Sequence, residues 1–213
     1  MAALRQRKGT LSLTGPLLDV DMIQNLRHYR YHGSDASIVL RLVYTPILNR
    51  AITYFPLTMA PNMITFLGFL SAATGLGLVL WHSPDLQNPM PQWVYLILAV
   101  CTLAYSWLDN LDGKQARRTQ TSSAFGELFD HGVDAFVSTF LVITASAGSR
   151  LGCSPPLLLL LFGTYMGFYL ATWEAYWVGG LHLGPINGPI EGILVLVFIH
   201  CLGAAFGPGS YLL

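Results

Sequence analysis

Residues 63 to 81 read MITFLGFLSAATGLGLVLW, a run of nineteen residues without a charged side chain. A helix needs about 20 mostly apolar residues to cross the hydrocarbon core of a bilayer, so this run predicts a membrane-spanning helix. Four further stretches predict helices of the same kind: Trp93–Leu108, Phe136–Ala147, Leu157–Trp173 and Ile193–Phe206. We therefore expect an all-α, polytopic membrane bundle with about five transmembrane helices.

The composition agrees with a membrane protein and argues against other classes. Of the 213 residues, 53% are hydrophobic and only 10% are charged, whereas soluble domains carry roughly 25% charged residues. The formal net charge is zero, which gives no electrostatic support for binding nucleic acid. The three cysteines lack the spacing of a metal site, so neither a zinc site nor a disulfide framework is expected.

The basic residues predict which end of the bundle faces the cytosol. Ten of the eleven Lys and Arg residues lie either before Pro61 or in the connection after the second helix, which we place at Asp109–Ser123. The positive-inside rule puts both regions on the cytosolic side. We expect residues 1–60 to form a cytosolic segment and residues 61–213 to form the membrane-embedded domain.

Within the cytosolic segment, Ile38–Tyr54 mixes Arg41 and Arg50 with regularly spaced apolar residues. This pattern is typical of an amphipathic helix that lies on a membrane surface rather than crossing it.

Two pairs of aspartates have helical spacing near that cytosolic end. Asp109 and Asp112 are three residues apart, and Asp130 and Asp134 are four apart, so each pair shares one helix face. If the second helix ends near Asp112 and the third begins near Ala124, the turn between them lets the two faces meet.

Four carboxylates in one small volume repel one another and therefore favour bound cations. Hard oxygen ligands suit Mg²⁺ or Mn²⁺, and a pair of such ions commonly holds a diphosphate during phosphoryl transfer. We expect Lys114, Arg117 and Arg118 to contribute positive charge to the same phosphates, while Gly113 and Gly126 leave room for a ligand to approach the backbone.

The run DNLDGKQAR at residues 109–117, followed by Gly126, Asp130 and Asp134, resembles the signature of the CDP-alcohol phosphotransferase family, with every fixed position present. The segments GELFDHG, WEAY and NGPIEG look like the choline and ethanolamine phosphotransferases of eukaryotes, and the resemblance covers most of the chain from about Tyr29. It implies transfer of phosphocholine or phosphoethanolamine from CDP-choline or CDP-ethanolamine to diacylglycerol. It also implies a membrane of the endoplasmic reticulum or Golgi, with the active site facing the cytosol.

The resemblance also implies residue roles. The metal ligands would be Asp109, Asp112, Asp130 and Asp134, of which the last is either a ligand or the general base. The residues that line the CDP-alcohol site would be Asn62, Gly113, Ala116, Arg117 and Gly126. His131 paired with Glu191 is the favoured base, and Asp134 is the alternative. For Asn62, capping of the first helix is an equally good interpretation.

Two departures from the family pattern stand out. Val133 occupies a position where many eukaryotic members carry Cys. Members of this branch also have about ten spanning helices, against the five predicted here. We therefore expect a C-terminally incomplete member without the helices through which full-length relatives form homodimers.

The sequence also bears on three functions other than transfer from a CDP-alcohol. A metal-dependent prenyltransferase would not need Gly113, Ala116, Arg117 and Gly126, and a cation transporter would place carboxylates at mid-membrane on several helices. A shortened family member that binds partners or lipid without turnover is a third hypothesis. The sequence leaves choline and ethanolamine undecided, although the aromatic rings of Tyr105 and Trp107 are placed to attract a choline headgroup.

Overall fold

The computed structural model describes residues 32–207, together with Gln24 and Leu26. The described part begins with a short strand, β1 (Gly33–Asp35), and continues through three consecutive helical turns. These are a π-helical turn (Leu40–Tyr44), helix α1 (Thr45–Ala51) and a 3₁₀ turn (Ile52–Tyr54). Together with residues 38 and 39 they form the amphipathic segment, residues 38–54, which is helical as predicted.

Five long helices follow, and they are long and apolar enough to cross a membrane. They are α2 (Pro61–His82), α3 (Gln92–Thr119), α4 (Ala124–Gly148), α5 (Pro155–Val178) and α6 (Ile193–Phe206), the last preceded by a π-helical turn (Gly188–Gly192). Each one contains a stretch that the sequence predicted. The predicted all-α, polytopic bundle is confirmed, and the protein is an integral membrane protein.

The predicted end of the second helix was wrong. α3 continues past Asp112 and ends at Thr119, where Gln120 adopts a left-handed conformation with φ of 58°. Apart from Gly113, the residues after Asp112 are good helix formers. The side chain of Gln115 also donates hydrogen bonds to the carbonyls of Pro56 and Met59. These bonds fix the last turns of the helix against the chain that enters α2.

The third helix begins at Ala124, as predicted. Ser123 caps it, because its hydroxyl accepts a hydrogen bond of 3.1 Å from the backbone N–H of Gly126. Only residues 120–123 therefore separate α3 from α4. We call the end of the bundle where α2 begins, α3 ends and α4 begins the motif end.

The core of the bundle is made by α2, α3, α4 and α6, with α3 in contact with the other three. α2 and α3 are antiparallel, since Gly68 lies against Leu108 and Gly75 lies against Leu98. The closest approach joins α6 to α3: a Cβ atom on Gly203 would lie 2.5 Å from the ring of Tyr95, so only glycine fits there. α5 packs on α4 at the edge of the bundle.

The amphipathic segment lies across the motif end. Its buried residues Tyr44, Leu48 and Ile52 pack against Ile64 and Leu111 of the bundle. The opposite face exposes large apolar side chains, among them Ile38, Leu42, Val43, Ile47 and Tyr54. Its location on a membrane surface remains a prediction. The basic residues Arg5, Arg7, Lys8, Arg27 and Arg30 lie outside the described residues.

A short parallel pairing was not predicted from the sequence. β1 pairs with β2 (Leu181–Leu183), the strand that follows α5, with Gly33 opposite Leu181 and Asp35 opposite Leu183. We call these two strands the strap. It joins the beginning of the described chain to the connection between α5 and α6.

Candidate metal and substrate site

The four predicted aspartates come together at the motif end. α3 supplies Asp109 and Asp112, and the first turns of α4 supply Asp130 and Asp134. The carboxyl of Asp109 contacts that of Asp134, and the carboxyl of Asp112 contacts that of Asp130. One oxygen each from Asp109, Asp130 and Asp134 lies within 4.8 Å of the others. An acidic cluster of this size can hold a metal ion.

The surroundings of the cluster fit a hard divalent cation. One carboxylate oxygen of Asp130, Oδ1, is buried and has no hydrogen-bond partner in the described structure. Burying an unpaired carboxylate oxygen is costly, and a metal ion would remove that cost by coordination. Carboxylate oxygens are also the ligands that Mg²⁺ and Mn²⁺ prefer.

Two hydroxyl groups hold the aspartates in place. The hydroxyl of Thr65, on α2, donates a 2.5 Å hydrogen bond to Asp112, and that of Tyr105, on α3, donates a 2.7 Å hydrogen bond to Asp134. Each bond leaves the second oxygen of the carboxylate for other partners. Such outer contacts orient ligands toward a metal.

Sequence reasoning missed both supporting roles. Tyr105 lies four residues before Asp109 and thus on the same face of α3, which was an available signal. Nothing in the spacing of Thr65 connects it to Asp112, since the two residues are 47 positions apart. The suggested headgroup contact of Tyr105 is not supported, because this residue is buried against Ala72 and Val137. Trp107 instead packs edge-on against Tyr44, with ring centroids 6.3 Å apart.

Replacing Thr65 with Val should weaken metal binding without unfolding the bundle. Valine keeps the shape of the side chain and removes the donor to Asp112, so that carboxylate loses its fixed orientation. We expect Mn²⁺ affinity to fall by about tenfold or more, the usual effect of losing an outer-shell partner. Titration of the purified protein with Mn²⁺, followed by electron paramagnetic resonance, measures this affinity. Thr74→Val is the matched control, because within the described part of the chain the Thr74 hydroxyl bonds to the Leu70 carbonyl on α2 alone. Equal affinity in Thr65→Val and the parent protein would contradict this role.

The glycines of the motif lie beside the polar groups predicted to bind substrate. A Cβ atom on Gly113 would lie 3.4 Å from the guanidinium of Arg117, and one on Gly126 would lie 3.6 Å from the side-chain oxygen of Asn62. Helix α2 is capped at Ala60, without a side-chain hydrogen bond. The capping interpretation of Asn62 was therefore wrong, and its amide faces Gly126 instead.

Two of the three basic side chains near the motif point elsewhere. The ammonium of Lys114 donates to the side-chain oxygen of Asn49 at 2.8 Å, and Arg118 donates to the carbonyls of Ile52 and Phe55. All three partners belong to the amphipathic segment or to the residue that follows it. Residues 114 and 118 are four apart and share a helix face, and this face differs from the one that carries Asp109, Gly113 and Arg117.

Ala116 is half-buried and Arg117 is exposed. Of the three basic residues in this part of α3, Arg117 alone lies on the aspartate face.

The structure does not join His131 to Glu191. Both oxygens of Glu191 have other partners: one accepts from the Ser37 hydroxyl at 2.5 Å, and the other accepts from the Asn187 backbone N–H at 2.9 Å. The ring of His131 lies edge-on to Phe168, with centroids 6.5 Å apart. Among the described residues no hydrogen bond connects the predicted pair.

His131 instead lines a cavity of about 320 Å³ between α4 and α5. The cavity wall includes Glu127, Thr172 and Tyr176, and the strap residue Leu181 closes one side. His131 precedes Asp134 by three residues, about one helical turn, on α4. None of the four aspartates lines this cavity.

Comparison with known proteins adds an independent finding. The family described as CDP-alcohol phosphatidyltransferase matches residues 58–205. The choline/ethanolaminephosphotransferase 1 of Arabidopsis thaliana is 40% identical over 182 residues, or 85% of this chain and 46% of that protein. The protein of the same name in Saccharomyces cerevisiae is 36% identical over 185 residues, or 87% of this chain and 47% of that protein.

The cholinephosphotransferase 1 of Bos taurus is 37% identical over 195 residues, which cover 88% of this chain and 46% of that protein. The chain thus spans about half the length of these curated relatives.

Proposed function

The chain belongs to the CDP-alcohol phosphatidyltransferase family, and from this premise we propose that it transfers phosphocholine, phosphoethanolamine or both from a CDP-alcohol to diacylglycerol. The products would be phosphatidylcholine or phosphatidylethanolamine, and CMP. The observation that carries the proposal is the aspartate cluster, in which a buried Asp130 oxygen has no hydrogen-bond partner among the described residues. The names of the relatives support the choice of alcohol.

Asp109, Asp112, Asp130 and Asp134 would hold Mg²⁺ or Mn²⁺, as two ions. Bound divalent ions would neutralise the charge of the diphosphate and of the departing CMP. Thr65 and Tyr105 support this role by fixing the orientations of Asp112 and Asp134.

The CDP-alcohol would lie along the aspartate face of α3 and the start of α4. The substrate would approach the helix backbone at three small residues, Gly113, Ala116 and Gly126. Polar contacts would come from Asn62 and Arg117, which lie beside the two glycines. A guanidinium forms strong, oriented hydrogen bonds to phosphate oxygens. Arg117 is the basic residue of the motif best placed for this contact.

In the reaction, the hydroxyl oxygen of diacylglycerol would bond to the phosphorus that carries the alcohol. The bond from that phosphorus to the bridging oxygen would break, and CMP would leave with that oxygen. The hydroxyl proton would pass to a base, for which His131 is the first choice because it lines a cavity and lies within one helical turn of Asp134 on α4. Asp134 is the second choice. Glu191 would serve only if it left its present hydrogen bonds.

We place the motif end in the cytosol and the protein in the endoplasmic reticulum or Golgi. The support is the position of Arg41, Arg50, Lys114, Arg117 and Arg118, which all lie at this end of the bundle. Residues 1–60 would then be the cytosolic segment, and the amphipathic segment would rest on the cytosolic leaflet. Homodimerisation is proposed for full-length relatives only.

The other functions have weaker support. All four aspartates lie on two helices at one end of the bundle, whereas a cation pathway needs charged residues toward the middle of the membrane. The glycine and arginine positions of the motif also have no purpose in a prenyltransferase.

The test is an assay of the purified chain in lipid nanodiscs with diacylglycerol, Mg²⁺ or Mn²⁺, and either CDP-choline or CDP-ethanolamine. We expect labelled phospholipid and CMP in equal amounts, and none of either after chelation of the metal. Comparing the two CDP-alcohols identifies the headgroup. CDP-alcohol binding without product would contradict transfer by this chain, and a lack of binding would contradict the CDP-alcohol site as well.

A further inference from the structure

We propose that Ser37 is a positioning residue for the transfer reaction and that it acts by fixing the carboxylate of Glu191 at the motif end. This inference rests on the proposed function. Ser37 lies between the strap and the amphipathic segment, outside the residues that match the family, 58–205. None of the sequence patterns described above drew attention to it.

The hydroxyl of Ser37 both donates and accepts a hydrogen bond within the protein. Ser37 is 1% exposed. Its hydroxyl donates to Glu191 at 2.5 Å and accepts from the backbone N–H of Leu40 at 2.9 Å. The second contact caps the first turn of the amphipathic segment. A buried hydroxyl with two partners is held in one orientation, so its acceptor is held as well.

The second carboxylate oxygen of Glu191 is held from the opposite side. It accepts from the backbone N–H of Asn187, and the side chain of Asn187 donates to Asp35 at 2.9 Å. The same oxygen of Asp35 accepts from the backbone N–H of Ser37 at 2.7 Å. Asp35, Ser37, Glu191 and Asn187 thus form a closed ring of hydrogen bonds.

This ring connects parts of the chain that lie far apart in sequence. Ser37 and Glu191 are separated by 154 positions, and Asp35 and Asn187 by 152. Both pairs adjoin the strap, in which Asp35 is opposite Leu183. The ring therefore fixes the turn that leads into α6 against the beginning of the amphipathic segment.

The ring also connects to the helix that carries the first two aspartates. Ile190, next to Glu191, is buried in a cluster with Tyr44 and Leu111. The hydroxyl of Tyr44 forms a 3.2 Å hydrogen bond with that of Ser106, one turn before Asp109 on α3. A change in the position of Glu191 would therefore be transmitted through these packed side chains to the part of α3 that carries Asp109 and Asp112.

Ser37 acts through Glu191, since both partners of its hydroxyl are protein groups. Without this donor the Glu191 carboxylate is left with backbone N–H donors, among them that of Asn187, and gains freedom to rotate. We expect such a change to affect the chemical step more than the binding of substrate. A group that only contributes to folding would instead change the amount of active protein.

The first test compares Ser37→Ala with Ser34→Ala in the nanodisc assay. Loss of an outer positioning contact commonly costs about 10–100-fold, so we expect kcat of Ser37→Ala to fall at least tenfold, with KM for the CDP-alcohol changed less than about threefold. Ser34 is the matched control, because it lies three residues earlier, on β1, is exposed, and among the described residues its hydroxyl bonds to His182 alone. Ser34→Ala should keep the parent kcat. Ser37→Thr keeps the hydroxyl and should recover most of the activity.

The second test is a double-mutant cycle. If Ser37 acts through Glu191, adding Ser37→Ala to Glu191→Gln should lower kcat less than about twofold further, because the two changes affect one interaction. Full multiplication of the two losses, or a parent-like kcat in Ser37→Ala, would overturn the proposal. Absence of turnover in the parent protein would instead contradict the proposed function on which this inference rests.

Discussion

Replacing Asp130 with Asn is expected to abolish transfer, lowering the rate of CMP release by about a thousandfold or more. Asparagine has nearly the shape of aspartate but carries no charge. The change therefore removes the charge of Asp130, the one aspartate among the described residues with a buried, unpartnered oxygen, and a divalent cation would lose a ligand. Initial rates at saturating CDP-alcohol and metal measure the effect.

Asp85→Asn is the matched control for this prediction. Asp85 lies in the connection between α2 and α3, at the opposite end of the bundle from the motif. Its carboxylate accepts hydrogen bonds from the backbone N–H groups of Asn88 and Gln87, and these bonds lower its pKa below the ordinary value. We expect this variant to keep the parent rate within about twofold. More than a tenth of the parent rate in Asp130→Asn would contradict the assigned role of Asp130.

Replacing His131 with Gln is expected to lower kcat by about 10²–10⁴, the usual contribution of a general base. Binding of CDP-alcohol and of metal should remain close to the parent values, because His131 lies in the neighbouring cavity and not among the four aspartates. Single-turnover measurements of CMP release, combined with equilibrium binding, separate the chemical step from binding.

His82→Gln controls for the loss of a histidine. His82 ends α2 at the far side of the bundle, where its ring packs edge-on against Trp93 with centroids 5.3 Å apart. This variant should keep the parent kcat. A parent-like kcat in His131→Gln, together with a slow but metal-binding Asp134→Asn, would assign the proton to Asp134 instead.

The membrane helices were predictable because the bilayer restricts what can cross it. A spanning segment must pair its own backbone groups and remain apolar over a fixed length. The runs around residues 63–81 and 157–173 meet both conditions. They can be predicted as membrane helices without knowing which helices they pack against. The polar first half of α4 was also predictable, since Ser123 provides a cap and Ala124 onward suits a helix.

The aspartate cluster was predictable from spacing, whereas its support was not. Helical phase alone places Asp109 with Asp112 and Asp130 with Asp134. The bonds from Thr65 and Tyr105 depend on how α2 and α3 pack and on how α3 meets α4. Such contacts between helices leave no periodic signal in the sequence.

The misplaced end of the second helix is explained by contacts with the amphipathic segment. The prediction that the second helix ends near Asp112 assigned the charged residues Lys114 and Arg118 to a loop. In the structure these side chains bond to Asn49 and to the carbonyls of Ile52 and Phe55, so the charges are compatible with further helix. The strap was not predicted for another reason. Its two strands have three residues each, which is too short for an alternating pattern to be recognised.

The separation of His131 from Glu191 bears on the choice of base. A resemblance transfers residue identities but not side-chain contacts, and here Glu191 is held by Ser37 and Asn187. The pairing remains a prediction that requires Glu191 to move. The His131 variant tests the histidine, whereas the double-mutant cycle tests the Ser37–Glu191 bond that such a movement would break.

The most direct test of the central claim is metal-dependent binding of a CDP-alcohol to the purified chain, measured by calorimetry with CDP-choline and with CDP-ethanolamine. The proposed site predicts saturable binding of at least one of them in Mg²⁺ or Mn²⁺, loss of that binding in EDTA, and loss in Asp130→Asn but not in Asp85→Asn. Equal affinity with and without divalent metal, or unchanged binding in Asp130→Asn, would contradict a CDP-alcohol site built on the four aspartates.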